Sequence, residues 1–476
     1  MSRILKNYIY NFLYQIFILL IPLITAPYLA RTLGVNNIGI YSYVNSTSNL
    51  IVNIGLLGIY DYSVRQIAYF RDNRREVSKI FIEIMIIRII SILPITFIYF
   101  YLSKKTIYPI SFWCYYPWVL ANILDSSWFF VGIEKMGITC LKNFLAKFLG
   151  VVAIFLLVKE QKDILLYILI LSFSTFIANF LVYSQLRKNI DLQNNFKLEI
   201  KNLLVHLKGS LKFFGPQIAL LLYTQIDRVM IPMITKDTIG VGFYDQAEKL
   251  IQIPMSVITV ISVIMMPRLS NEYKKGNMQK VENYLIETSK YMLMMTFPLM
   301  FGILTIANEF VPWYLGNEFI PTSKALILLI PIILSNTILG LSGKQYFTAI
   351  NELKILFFSY MVTGIINVIL NIFLILKYGW YGSIFATLIS SYLCVFLQLI
   401  ELRKRVNLKF LLKYGIKYFI YGFCMWRGIV FIRIILLKER SNFLYEIITG
   451  AVLYILLLLI SKEISIFKII KKIKDK

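Results

Sequence analysis

Apolar runs of roughly 20 residues, the length a helix needs to cross a bilayer, recur along the whole chain. Inside hydrocarbon every backbone N–H and C=O must find a partner within the protein, which leaves only helices and closed barrels. The runs are continuous rather than alternating, so a strand-built barrel is excluded. Only 16% of the 476 residues are charged, 58% are hydrophobic, and the mean hydropathy is +0.70. A water-soluble chain of this length carries far more charge. The expected fold is an all-α polytopic membrane protein with about fourteen transmembrane helices, set out as two pseudo-symmetric six-helix lobes plus two C-terminal helices.

The spans are read at 10–30, 38–60, 80–102, 110–131, 144–158 and 164–186, forming an N-terminal lobe over 1–186. A basic, Asn-rich connector covers 187–212. The C-terminal lobe, 213–402, holds spans at 213–234, 244–266, 291–307, 322–341, 355–376 and 381–402. The remainder, 403–476, carries spans at 418–437 and 444–460 and a basic tail. Pro22 and Pro27 predict a bent or broken first helix. The basic start over 1–9 is not read as a cleavable signal, because the apolar run behind it is too long.

A formal net charge of +25 invites a nucleic-acid reading, but its distribution gives a plainer source. With the N-terminus inside, the inner segments hold roughly 35 Lys/Arg and the outer ones roughly 9, the positive-inside bias of a membrane protein. That places both ends in the cytoplasm and leaves nucleic acid out. The inner loops are read at 65–79, the first of them opening with the stretch 61–72, and at 135–147, 187–212, 268–290, 344–354 and 403–417, and the longest outer loop at 308–318. Cys114, Cys140, Cys394 and Cys424 lack metal or redox spacing and read as core residues. His206, the one histidine, sits in a basic inner segment, so histidine catalysis and His-rich metal sites are excluded. No G-x-x-x-x-G-K-[ST] loop is present, so this chain does not drive itself with ATP.

One stretch stands out, 242–256, where Asp245, Glu248, Gln252, Ser256 and Thr259 follow the spacing of one helix face. Polar groups on a spanning helix belong in a polar interior or a water-filled cavity. The plainer alternative is an Asp245–Lys249 pair one turn apart, snorkelling at the membrane boundary. An echo lies 203 residues earlier: Gly39, Tyr41, Asn45, Asn49 and Asn53 fall opposite Gly242, Tyr244, Glu248, Gln252 and Ser256. Internal repeats of this kind build many transporters, with the substrate path at the repeat interface.

Other intramembrane ionisable residues are Glu83, Arg88, Asp125, Asp227, Arg228, Arg427 and Arg433. Each is a site candidate because a charge in hydrocarbon costs at least about 2.5 kcal/mol. Glu83 and Arg88 lie near a span end and are read as snorkelling. Arg427 and Arg433 are read as lipid or packing contacts. Asn122 shares a face with Asp125; Gln217 and Thr224 precede Asp227 and Arg228. Arg228 is the preferred phosphate ligand, since a guanidinium clamps phosphate oxygens bidentately. The cavity candidates are therefore Asn45, Asn49, Asn53, Asn122, Asp125, Gln217, Thr224, Asp227, Arg228, Asp245, Glu248, Lys249 and Gln252, with no catalytic or metal-ligating residue.

Several stretches then resemble one family. Ile21-Pro22-Leu23-Ile24-Thr25-Ala26-Pro27-Tyr28, Gly39-Ile40-Tyr41-Ser42-Tyr43, Arg65-Gln66-Ile67-Ala68 and Ser127-Trp128-Phe129-Phe130-Val131-Gly132-Ile133-Glu134 carry it in the first lobe. In the second, Pro216-Gln217-Ile218-Ala219, Gly242-Phe243-Tyr244-Asp245-Gln246-Ala247-Glu248-Lys249, Met266-Pro267-Arg268-Leu269-Ser270 and Gly364-Ile365-Ile366-Asn367-Val368-Ile369-Leu370-Asn371 continue it. The chain is similar to the polysaccharide repeat-unit (O-antigen and capsule) flippases of the multidrug/oligosaccharidyl-lipid/polysaccharide exporter superfamily. Val131 departs from the pattern, where a Gln is expected, and puts a sugar contact there in doubt. The resemblance covers the chain to about residue 402. It implies an alternating-access transporter, not an enzyme, that moves undecaprenyl-diphosphate-linked oligosaccharide from the inner to the outer leaflet of a bacterial plasma membrane. It also implies membrane lipids, a polymerase and glycosyltransferases as partners, no cofactor, and H+ or Na+ as coupling ion, with Asp125, Asp227 or Glu248 as the carboxylate that binds it. The alternatives are a multidrug and toxin extrusion-type antiporter, whose cavity favours negative groups, and a polysaccharide polymerase or ligase, against which the short outer loops speak.

Overall fold

The computed structural model describes residues 3–191, 199–436 and 442–463. Among these, every regular element is helical. In chain order they are α1 (Arg3–Leu56), α2 (Ile59–Phe70), α3 (Arg74–Lys105), α4 (Pro109–Leu124), α5 (Ser127–Gly132), α6 (Met136–Leu157), α7 (Ile164–Ser184) and α8 (Ile200–Thr235). There follow α9 (Ile239–Lys274), α10 (Met278–Leu315), α11 (Ile320–Leu329), α12 (Pro331–Leu339), α13 (Leu353–Tyr378), α14 (Tyr381–Arg403), α15 (Lys409–Leu436) and α16 (Phe443–Ile460).

Among the described residues ten helices are long and apolar enough to cross a membrane, and the bent pair around Pro331 makes an eleventh. The remaining three expected spans lie on the two arms of α1 and on α4 with α5. This is a multi-pass membrane protein. The bend in α1 is not at its prolines, which keep helical dihedrals, but at Gly34, with φ 75° and ψ 173°. A side chain there would clash with its own backbone, which glycine avoids. The fourth expected span is interrupted at Asp125–Ser126, where the Asp125 carboxylate accepts the Ser127 amide and its carbonyl accepts the Trp128 indole N–H.

Several stretches read as loops are helix instead. Residues 59–70 form α2, because Ile59, Tyr62, Ser63 and Ile67 recur at helical spacing and are buried. Most of the expected outer loop at 308–318 is the last two turns of α10, and 200–212 opens α8. Residues 344–349, expected as an inner loop, continue the helix as a wide-wound π turn, Gly340–Phe347, and a final α turn. Helical periodicity simply runs past the hydrocarbon into polar sequence.

The chain forms two compact units, Met1–Asp245 with Gly364–Ser383, and Gln246–Thr363 with Ile384–Lys476. The first is built on an aliphatic and aromatic core that includes Val44, Ile92, Val119 and Ile168, each fully buried. A second core lies under α2 and α5, where the Phe81 and Trp128 rings stack with centroids 5.2 Å apart. In the second unit α10 packs on α15 and α16 through Phe297, Tyr418, Met425 and Tyr454. Just beyond α16, Glu463 ion-pairs with Lys290 of α10 and Lys417 of α15. Burial alone would raise the Glu463 carboxyl, but the two ammonium groups outweigh it and hold it below the usual carboxylate range.

Candidate functional site

In the first unit, α8, the start of α9 and the second arm of α1 carry a polar interior. Its centre is an ion pair: Arg228 Nε donates to Asp245 Oδ1 at 2.7 Å. Ser42 Oγ donates to Asp245 Oδ2 at 2.8 Å, and Arg228 Nη1 donates to the Thr224 carbonyl at 3.1 Å. Both charged groups are buried, with Arg228 7% and Asp245 3% exposed. Arg228, read from sequence as a phosphate clamp, therefore has a carboxylate already on its guanidinium. Asp245, a cavity candidate in the sequence, meets a cation on the preceding helix.

Asp227 is held separately. Its Oδ2 accepts the Tyr244 hydroxyl at 3.0 Å and its Oδ1 accepts Asn371 Nδ2 at 2.6 Å, while Asn371 also donates to Asn367. The asparagine stripe of α1 forms a third group. Asn45 Oδ1 accepts the Tyr115 hydroxyl and Asn49 Nδ2, and Asn53 Oδ1 accepts Gln217 Nε2 at 2.7 Å. Beside it Ser46 Oγ donates to Gln225 Oε1 at 3.0 Å. Asn45, Asn49, Asn53 and Gln217 are only half-buried. They are the amide donors and acceptors of the set that sugar hydroxyls match.

The internal echo has a direct structural meaning. Ser42 and Asp245, equivalent positions 203 apart, hydrogen-bond to each other. Gly39 packs on the Thr238 carbonyl, and Gly242 packs on the carbonyl of Val35, the position equivalent to Thr238. The two repeats meet reciprocally, as a two-fold relation requires, and glycine at both points lets the backbones touch.

Other candidates are distributed differently. Glu83 and Arg88 do not snorkel; they are 2% and 1% exposed. Glu83 pairs with His206 at 3.0 Å, and Arg88 pairs with Asp125 at 3.2 Å and donates to the Asn122 carbonyl. His206 is thus a buried residue of α8 bonded to Glu83 and Tyr62, not part of a loop. Burial in a bundle interior with a partner costs less than an unpaired charge in lipid. Glu248, Lys249 and Gln252 belong to the second unit, where Gln252 Nε2 approaches Glu248 Oε1 at 3.5 Å. Arg427 lies over the Phe423 and Trp426 rings, and Arg433 pairs with Glu309 and Glu446. Sequence reasoning passed over Ser42, Tyr244, Asn367 and Asn371. The last two sit one turn apart in an apolar span, a signal as strong as the α1 stripe.

A helical bundle with internally paired charges and an amide-lined polar face defines a polytopic transporter-type membrane protein. The model of the polysaccharide biosynthesis protein family matches residues 4–272, more than half of the chain, and the chain belongs to that family. A second family model, lipid II flippase MurJ, matches residues 145–457. A Shigella dysenteriae protein provisionally named an O-antigen transporter is 25% identical over 411 residues, covering 83% of this chain and 98% of its own. Among solved structures, the inward closed conformation of the lipid II flippase MurJ superposes with a TM-score of 0.73 at 16% identity, covering 96% of this chain and 99% of that one. An inward-facing multidrug resistance transporter of the MOP superfamily gives 0.61 at 12% identity, covering 81% and 95%. Both structures share this fold.

Proposed function

We propose that this chain is a flippase that carries oligosaccharide repeat units, linked to undecaprenyl diphosphate, from the inner to the outer leaflet of a bacterial plasma membrane for surface polysaccharide assembly. The observation that carries the reading is the pair of overlapping family matches, polysaccharide biosynthesis protein and lipid II flippase, which together run from residue 4 to 457. The half-buried amides of α1 and α8 support it as sugar-facing groups. In this reading both termini are cytoplasmic, the cycle is one of alternating access driven by H+ or Na+, and a polymerase and glycosyltransferases act beside it. Asp227 is the preferred coupling carboxylate, because it accepts the Tyr244 hydroxyl and the Asn371 amide, two neutral groups that tolerate either charge state.

The test is a deletion strain in which lipid-linked oligosaccharides are assigned to a leaflet and surface polysaccharide is measured. Expected are accumulation on the cytoplasmic face and loss of surface glycan, restored by the wild-type chain and restored poorly by Asn49→Leu or Gln217→Leu. Normal surface glycan with new sensitivity to cationic drugs would overturn the reading.

A further inference from the structure

The turn joining α14 to α15, in the second unit, lines an open cavity of about 770 Å³. Its lining contains Arg403, Arg405 and Lys409, one amide, Asn407, and otherwise only Leu and Val side chains. No acidic residue lines it. Glu352 reaches Arg405 from outside, Oε1 accepting Nη2 at 2.7 Å, and so fixes that guanidinium at the rim. Among the described residues Arg403 and Lys409 have no side-chain partner, and both are exposed. The first turn of α15 opens at the same place, with Asn407 Oδ1 accepting the Lys409 amide. A helix start adds positive potential to the three cations.

Both α14 and α15 are long and apolar enough to cross a membrane, so the turn between them lies at a membrane face. From the cavity an exposed apolar stripe runs down α15 through Leu412 (69% exposed), Ile416 and Ile420, at four-residue spacing. On α14, Ile400 and Phe396 are exposed as well. The arrangement is a cationic cup with an apolar slide leading into hydrocarbon.

We propose that this cavity binds one anionic phospholipid, its phosphate held by Arg403, Arg405 and Lys409 and an acyl chain laid along Leu412 and Ile416. Charge complementarity selects the headgroup, since basic pockets between membrane helices attract anionic lipid. The apolar slide selects a lipid over a free phosphate. The site belongs to the second unit and goes beyond the transport reading.

The test uses the full-length protein in mild detergent, with native mass spectrometry against phosphatidylglycerol, phosphatidylcholine, undecaprenyl phosphate and glycerol 3-phosphate. Phosphatidylglycerol is expected to be retained over phosphatidylcholine, and R403A/K409A to cut that retention about tenfold. The charge-conserving R403K/K409R should keep it. Leu412→Gln, which spares every cation, should reduce it as well. Equal retention of both phospholipids, or retention unchanged in a monodisperse R403A/K409A, would overturn the proposal. So would displacement by glycerol 3-phosphate, which makes it a phosphate site, or by undecaprenyl phosphate, which makes it a substrate site.

Discussion

Arg228 and Asp245 set the energetics of the first unit at the level of single residues. Both are buried and they form an ion pair, so removing one breaks a buried pair, a loss of about 3–5 kcal/mol. Arg228→Ala is expected to lower the thermal midpoint of the purified protein sharply. The paired change R228M/D245L, which removes both charges and keeps side-chain volume, should recover most of it. Equal damage from both variants would mean the pair matters for something other than mutual neutralisation. The cost of a charge in hydrocarbon marked both residues from sequence alone. Their partnership was not legible, because local spacing offers Lys249 to Asp245, whereas Arg228 lies 17 residues away on another helix.

Among the elements, the contact between the second arm of α1 and the start of α9 is the tightest packing constraint the repeats impose. A methyl group on Gly39 would sit within the van der Waals sphere of the Thr238 carbonyl oxygen, in a helix whose backbone cannot yield alone. Gly39→Ala should cost at least about 1–3 kcal/mol as overpacking, read as a lower melting temperature or poor recovery of monodisperse protein. Gly302, on α10 with open space around its missing side chain, is the control: Gly302→Ala should be neutral or slightly stabilising. The repeat was visible in sequence through matching polar stripes and two shared residues, Gly and Tyr. Its reciprocal contact was not, since only folding brings positions 203 apart together. Element ends were read least well. Where 61–70 and 344–349 were expected as loops, the helix continues or restarts, because polar residues stop a membrane span without stopping a helix.

For the whole molecule, the uneven distribution of Lys and Arg predicts both termini on the cytoplasmic side. A fluorescent protein that matures only in the cytoplasm, fused after residue 476, should fluoresce, and a periplasm-active phosphatase at the same point should stay silent. The opposite pattern would invert every loop. The sequence by itself determined the helical class, the membrane setting, about fourteen spans and the family resemblance, because crossing hydrocarbon is a property of consecutive residues. Which charges are neutralised, by whom, and which amides stay half open were decided by tertiary structure. Those outcomes depend on where helices distant in sequence cross, and that is set by packing rather than by any local run of residues.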